Sequence, residues 1–446
     1  MPATDVDAGT RLRALLRRLN PNRPASVTDD ALPRVDRGVD ALRSVATYLR
    51  ADPNAKLLIA GHIGVGKSTE LVHLGRQFEN EFEVVYHSVS GEIGAHNASV
   101  PTLLISLLHQ VVRRWNATSI PIPSGLVASA YELVSGKDTR SAIAEAVKAA
   151  LMTGVPGREP PLTGAGLEDY LAKAVHQISL RYFDLAQRRS ADVVGIAAAL
   201  ENTLKELANA VGRPLLLLID DLDKIAEDDA ALDIFVDRAM AWIKLPCAVV
   251  ATLPINLYFH ERAREIEQIW NSVELLDPLA MPPQEDADAI PPSASFYLTL
   301  LKNVGGETVF SGRQTSRLAR DSGGVIRDFV HLCASCVHSV LDTGEEHVRD
   351  WHIKAVEAQR TEKYQSRLLD EDYERLDSII RTQRGARTGA QLIRDGVLLS
   401  RRDEQGKRVL CVHPLVALLV EDYRRRRTPP AGPLPSVADR GPQGSR

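Results

Sequence analysis

Lys67 and Ser68 are the residues best placed by their neighbours to do chemistry. They close the run Gly61-His62-Ile63-Gly64-Val65-Gly66-Lys67-Ser68-Thr69, a complete match to G-x-x-x-x-G-K-[ST]. Gly61, Gly64 and Gly66 let a backbone turn bring its N–H groups against an anion where a Cβ would obstruct it. A helix opening near Lys67 would add its positive dipole end, with the Lys67 ammonium reaching the β and γ phosphates and the Ser68 hydroxyl turned to Mg²⁺. The whole run from Gly61 to Thr69 is therefore a candidate binding loop for a nucleoside triphosphate. A second constellation is Asp220-Asp221-Leu222-Asp223, which follows Leu215-Leu216-Leu217-Leu218-Ile219. Acids at the exit of a buried strand can serve a phosphate loop. Asp220 is the candidate for holding Mg²⁺ and Asp221 for polarising an attacking water. Asp223 reads as a turn-shaping or helix-capping residue.

Those groups need a scaffold that brings two strand ends together. Lys56 to Ala60 is an apolar run entering the glycine loop, and Glu70 to Phe78 follows with helical apolar spacing. Phe82 to Val89 reads as a second strand and Val100 to Trp115 as a helix; Glu92, on the polar stretch between them, is a site candidate because ligands bind at the carboxyl ends of open sheets. The five branched aliphatics before Asp220 describe a central strand buried on both faces. Cys247 to Thr252 is a further buried strand, and Ser272 to Leu276 another. Strands alternating with helices predict an α/β core with a parallel sheet flanked by helices.

The 446 residues carry a net charge of −4, which excludes a global drive toward nucleic acid or membrane. From Arg360 to Arg427 there are sixteen Lys/Arg against eleven Asp/Glu, a local net of +5. The start, Met1 to Asp7, is acidic where a signal peptide is basic, and no apolar run approaches the roughly 18 residues of a membrane span. A cytoplasmic protein without a membrane partner is expected. Four cysteines give no disulfide framework. Cys333 and Cys336 lie with His331 and His338 on one helical segment, where the four side chains point in divergent directions; they read as buried thiols rather than zinc ligands.

The chain divides into an N-terminal helical segment (1–29), the core (30–281), a helical lid (282–345), a helix-plus-hairpin part (346–427) and a Pro/Gly tail expected to be disordered (428–446). Residues 116–190, broken by Pro and Gly clusters, read as a helical insertion, and 282–292 as an acidic linker. Gly396 to Val412 holds two apolar runs around a charged turn at Gly406, a β-hairpin; helices followed by such a hairpin suggest a winged helix.

Taken together, the Gly61–Ser68 loop, the Leu-rich strand ending in Asp220-Asp221-Leu222-Asp223, Thr252 and Gly323-Gly324-Val325-Ile326-Arg327 resemble bacterial P-loop ATPases of the AAA+/STAND type, with the origin-recognition-like layout of core, lid and winged helix. The Asp-Asp-Leu-Asp spelling is also similar to that of the KAP subgroup. Several roles are implied by the resemblance. Val35 and Arg37 would contact the adenine. Thr252, with Asn256 in reserve, would take the sensor 1 position beside the lytic water. Arg327 would approach the γ-phosphate from the lid as sensor 2, and Arg262 or Arg264 would be an arginine finger given to a neighbouring subunit. The resemblance implies ATP and Mg²⁺ as cofactors and slow ATP hydrolysis that switches a protein assembly, through a protein partner or self-association, in bacterial signalling or defence. Two alternatives stand beside it: a DNA-binding initiator or loader that uses the winged helix with Arg401, Arg402 and Lys407, and a scaffold that binds nucleotide without hydrolysing it.

Overall fold

The computed structural model describes residues 8–21, 34–37, 41–118, 120–123, seven positions between 165 and 175, 193–279, 294–382, 389–403 and 405–427. Most of the 116–190 insertion, the 282–292 linker and the 428–446 tail thus lie outside the described residues. Five parallel strands form the core sheet: β1 (Lys56–Gly61), β2 (Glu83–Ser88), β3 (Leu215–Asp220), β4 (Ala248–Leu253) and β5 (Ser272–Leu276), in the spatial order β2-β3-β4-β1-β5.

The order explains the composition. β1, β3 and β4 are interior strands, and every residue in them is buried. Because side chains alternate along a strand, each of these aliphatic runs feeds two cores. Leu57, Ile59, Leu216, Leu218 and Val250 face the helices Arg43–Ala51 and Lys67–Phe78. Leu58, Leu215, Leu217, Ile219 and Val249 face the other way, into the core shared with helices Val100–Ala117 and Val193–Val211. Each such side chain contributes about 1.5–3 kcal/mol of burial, which makes the middle of this sheet the most strongly specified part of the chain. β2 is an edge strand and alternates, with Glu83, Val85 and His87 buried and Tyr86 exposed.

Lid helices Ala294–Asn303, Gly312–Asp321 and Ile326–Thr343 follow the core, and the N-terminal helix Ala8–Arg18 lies on the last of them with Leu12 and Leu15 buried. Cys333 and Cys336 are buried thiols in this lid helix, their ionisation pushed up by burial, Cys336 to about 12. Among the described residues no group of three or more His, Cys, Asp or Glu is arranged to hold a metal. Helices Asp350–Gln365, Asp370–Thr382 and Ala390–Arg394 then lead to the antiparallel hairpin β6 (Leu398–Arg402) and β7 (Arg408–Val412), closed by helix Pro414–Arg427. No helix among the described residues is long and apolar enough to cross a membrane.

Two short helices follow β4. The chain is helical over Ile255–Tyr258 and again over Ala263–Ile269, and between them the His260 Nδ1 accepts the Arg262 N–H at 3.1 Å. That side-chain acceptor competes with the helical ladder, so Arg262 precedes the second helix instead of riding on a continuous one.

Core, lid and hairpin meet at Gly323-Gly324. Both glycines have left-handed backbones (φ +61° and +85°), and the Leu279 N–H, just beyond β5, donates to the Gly324 carbonyl at 3.1 Å. The hairpin is fastened to the core by Arg408 on Asp277 (2.8 Å) and Arg402 on the same carboxylate (3.4 Å). Arg394 adds a hydrogen bond to the Ile225 carbonyl at 3.1 Å.

Candidate nucleotide and magnesium site

The glycine loop leaves β1 and enters helix Lys67–Phe78, with Gly64 and Gly66 at φ +91° and +102°. A Cβ on Gly64 would lie 2.4 Å from the Arg327 Cβ, and the Arg327 N–H donates to the Gly64 carbonyl at 3.0 Å. The start of the last lid helix therefore rests directly on the phosphate loop. Lys67 is only 5% exposed. Its Nζ donates to the carbonyls of Gly61 (2.7 Å) and His62 (2.9 Å) and stands 2.9 Å from Asp223 Oδ2.

Opposite it, β3 ends in the acids. Asp220 Oδ1 accepts the Asp221 N–H at 2.8 Å and Oδ2 accepts the Tyr86 hydroxyl at 2.7 Å; Ser68 supplies another hydrogen bond. Burial, with the negative charges of Asp221 and Asp223 beside it, pushes the Asp220 carboxyl above its usual range. A dication between Ser68 and Asp220 would relieve that charge, so the donor set fits Mg²⁺, which takes one or two protein oxygens and fills its shell with phosphate and water.

Asp221 is the single described non-glycine residue with a positive φ, +72°. This left-handed conformation, which Asp tolerates better than most residues, turns its carboxylate toward the end of β2. There Oδ2 accepts the Ser88 hydroxyl at 2.6 Å, and Oδ1 lies 2.5 Å from Lys224 Nζ. Burial alone would raise this carboxyl, but the bonds from Lys224 and Ser88 outweigh it and hold the group below its ordinary range. Asp221 is thus an ionised acceptor facing the cleft.

The space between core and lid has a volume of about 420 Å³ and is lined by Lys67, Ser68, Asp220, Asp221 and Arg327, among others. Apolar side chains also line it: Val35, Ile63, Phe296, Leu300, Ile326 and Val330. Val35 and Arg37 both line the cleft. The Arg37 guanidinium donates to the Val65 carbonyl at 3.1 Å and to the Asp277 carbonyl at 2.9 Å, tying the phosphate loop to the exit of β5. Arg34 is bonded to the buried Glu70 at 3.3 Å.

Other expected residues stand apart from this cleft. Thr252 is fully buried and off the wall; its hydroxyl accepts the Asp223 N–H at 3.3 Å. Asn256 donates to Asp228 at 2.6 Å, and Glu92 lies 3.7 Å from His109. Arg262 is bonded to Asp237 (2.8 Å) and Glu265 (2.9 Å) of its own chain, and Arg264 is exposed beside it. Conversely, Tyr86, Ser88 and Lys224 join the site without having been singled out. Alternation along β2 could have found the first two, since it sets both hydroxyls on the same face.

His62 brings the C-terminal part to the loop. Its imidazole is 2% exposed, and Nε2 accepts the Ser400 N–H of β6 at 2.9 Å. Burial and the nearby Lys67 ammonium push it down to about 3, so it is neutral in the folded protein. Because the unfolded chain binds this proton near pH 6.5 and the folded one does not, His62 lowers stability as pH falls from about 6.5 toward 3. His62→Gln, which keeps an acceptor for Ser400, is expected to gain about 2 kcal/mol relative to wild type on going from pH 7 to pH 5. Urea unfolding of both proteins at the two pH values measures it. The comparison with wild type is needed because raised carboxyls such as Asp321, pushed up to about 8 by burial and by Glu357, act in the opposite sense.

No family model matches the chain, and no curated protein does. Solved structures with a similar layout include Cdc6p from Pyrobaculum aerophilum (12% identity, 92% of this chain and 97% of that one, TM-score 0.40). Others are the Aeropyrum pernix ORC1 protein in complex with DNA (15%, 90% and 96%, TM-score 0.39) and the Thermotoga maritima RuvB Holliday junction branch migration motor (12%, 85% and 91%, TM-score 0.33). At these values the likeness assigns this chain no chemistry, and both fold and chemistry are read from its own residues. The chain's own elements build an α/β core of five parallel strands with a glycine loop between β1 and the following helix, then a helical lid and a helix-plus-hairpin C-terminal part.

Proposed function

We propose that this protein binds ATP with Mg²⁺ between core and lid, hydrolyses it slowly and uses the cycle to change how lid and hairpin sit on the core. The observation that carries the reading is the convergence of Lys67, Ser68, Asp220, Asp221 and Arg327 on one cleft. Mg²⁺, when bound, would neutralise phosphate charge and orient the terminal phosphate. Ser68 and Asp220 would hold it, and Tyr86 fixes the Asp220 carboxylate through Oδ2. The loop N–H groups and Lys67 bind the phosphates, while Asp221 accepts a hydrogen bond from water and turns its oxygen to the γ-phosphate. Val35 and the apolar wall receive the base. Arg327 couples phosphate to lid position, because its own backbone already holds the loop at Gly64.

The switch output falls on a protein assembly, with signalling or defence as its setting. Hydrolysis through Asp221 separates this reading from a nucleotide-holding scaffold. A DNA role centred on the hairpin has less support, since Arg402 and Arg408 are both engaged with Asp277. Calorimetric titration with ATP and Mg²⁺, followed by a phosphate-release assay, tests the proposal. One saturable site with slow release is expected; a protein that takes up no ATP ends it.

A further inference from the structure

The ammonium of a lysine has three N–H donors. In Lys67 all three are engaged within the chain, on the carbonyls of Gly61 and His62 and on the Asp223 carboxylate. The two carbonyls belong to the loop itself. Asp223 comes from the turn after β3, and that turn is built to present it: the Asp223 N–H is fixed on the Thr252 hydroxyl at the end of β4, at 3.3 Å. Both partners of the ion pair are buried, their side chains 5% and 8% exposed. A buried pair of this kind is strongly coupled, since whichever charge loses its partner is left desolvated.

We infer that Asp223 is a gate on the phosphate subsite, a positioning residue that holds Lys67 back against the loop until a polyphosphate takes its place. This rests on the nucleotide reading given above and deepens it. A triphosphate entering the cleft has to draw Lys67 away from Asp223, and the displaced carboxylate then adds to the negative charge of Asp220 and Asp221. Affinity for phosphates is thereby set lower than the loop alone would give. Asp223 thus opposes the ligand whose site it lines, the reverse of a turn residue that merely supports the loop.

The sign of the effect makes the test decisive. Asp223→Asn keeps the backbone bond to Thr252 and removes the charge from Lys67. ATP and inorganic tripolyphosphate, each titrated into the intact protein, are expected to bind about tenfold more tightly, and adenosine no more tightly than to wild type. Thr252→Val, which loosens the turn without changing any charge, is expected to shift polyphosphate affinity the same way by a smaller factor. Glu70→Gln removes a negative charge lining the same cleft, but one bonded to Arg34 instead of Lys67. It is expected to gain less than twofold. Unchanged or weaker binding in a folded Asp223→Asn protein overturns the inference, and so does an equal gain in Glu70→Gln, which would make the effect one of general charge. Should Asp223→Asn fail to fold, Thr252→Val decides by the same criterion. A wild-type protein that binds no ATP overturns the underlying nucleotide reading instead, and the two failures are distinct.

Discussion

Asp221→Asn is expected to lower ATP turnover by about 10²- to 10³-fold while leaving ATP affinity within a few-fold of wild type. The asymmetry follows from where this carboxylate points. It is absent from the grip on the phosphates, which is assigned to the loop and Lys67, and it is held by Ser88 and Lys224 at the edge of the cleft. Asn has nearly the same shape, accepts the Ser88 hydroxyl equally well and tolerates the left-handed backbone at φ +72°. It lacks the negative charge that polarises a water, and loss of a group acting in the transition state appears in turnover and not in binding. Phosphate release under saturating ATP, set beside a binding isotherm, reads both quantities. Turnover within threefold of wild type would remove Asp221 from the mechanism.

Gly324→Ala is expected to destabilise the protein by at least about 3 kcal/mol. The added Cβ would lie 2.1 Å from the Leu279 carbonyl oxygen, a backbone atom that cannot swing aside, and would occupy a left-handed φ of +85°. The left-handed conformation alone accounts for about 1–2 kcal/mol, and the clash together with loss of the Leu279-to-Gly324 hydrogen bond supplies the rest. Gly344→Ala is the internal comparison, with φ +72° but nothing within 4 Å of the new Cβ. It is expected to lose only about 1 kcal/mol. Urea unfolding of both variants separates the strain of the backbone from the collision at the joint. Equal losses would mean that the joint between core and lid yields, and that the close approach at Gly324 carries no energy of its own.

The parts legible in the sequence were those written in short-range pattern. A glycine-spaced loop ending in Lys67-Ser68 specifies the tight turn from β1 into the next helix, with Gly64 and Gly66 left-handed, and the aliphatic run before Asp220 admits few readings other than an interior strand. The resemblance implied that Arg327 approaches the γ-phosphate from the lid; the structure shows its N–H donating to the Gly64 carbonyl and its side chain lining the cleft. The parts not legible depend on what the fold brings together from afar. Asp223 read as a turn residue because its local spacing says so, while its partner Lys67 comes from another strand end. Thr252 ends its strand as expected, yet its hydroxyl serves the turn of Asp223 and does not line the cleft. Arg402 read as part of a charged turn, and only the docking of β6 on the core shows that it answers Asp277. The contact from Ser400 to His62 has no sequence signal, since one partner is a backbone N–H that every residue except proline possesses.

ATP binding by Lys67→Ala, measured by titration in Mg²⁺ beside the wild-type protein, tests the central claim most directly. Affinity should fall at least about 100-fold in a protein that still folds but melts at a lower temperature, because the ammonium is assigned to the phosphates, its loss leaves the buried Asp223 carboxylate without a partner, and the glycine loop is still held by Arg327 and Arg37. A folded Lys67→Ala protein that binds ATP as tightly as wild type would contradict the claim, and the cleft between core and lid would then have to serve some other ligand.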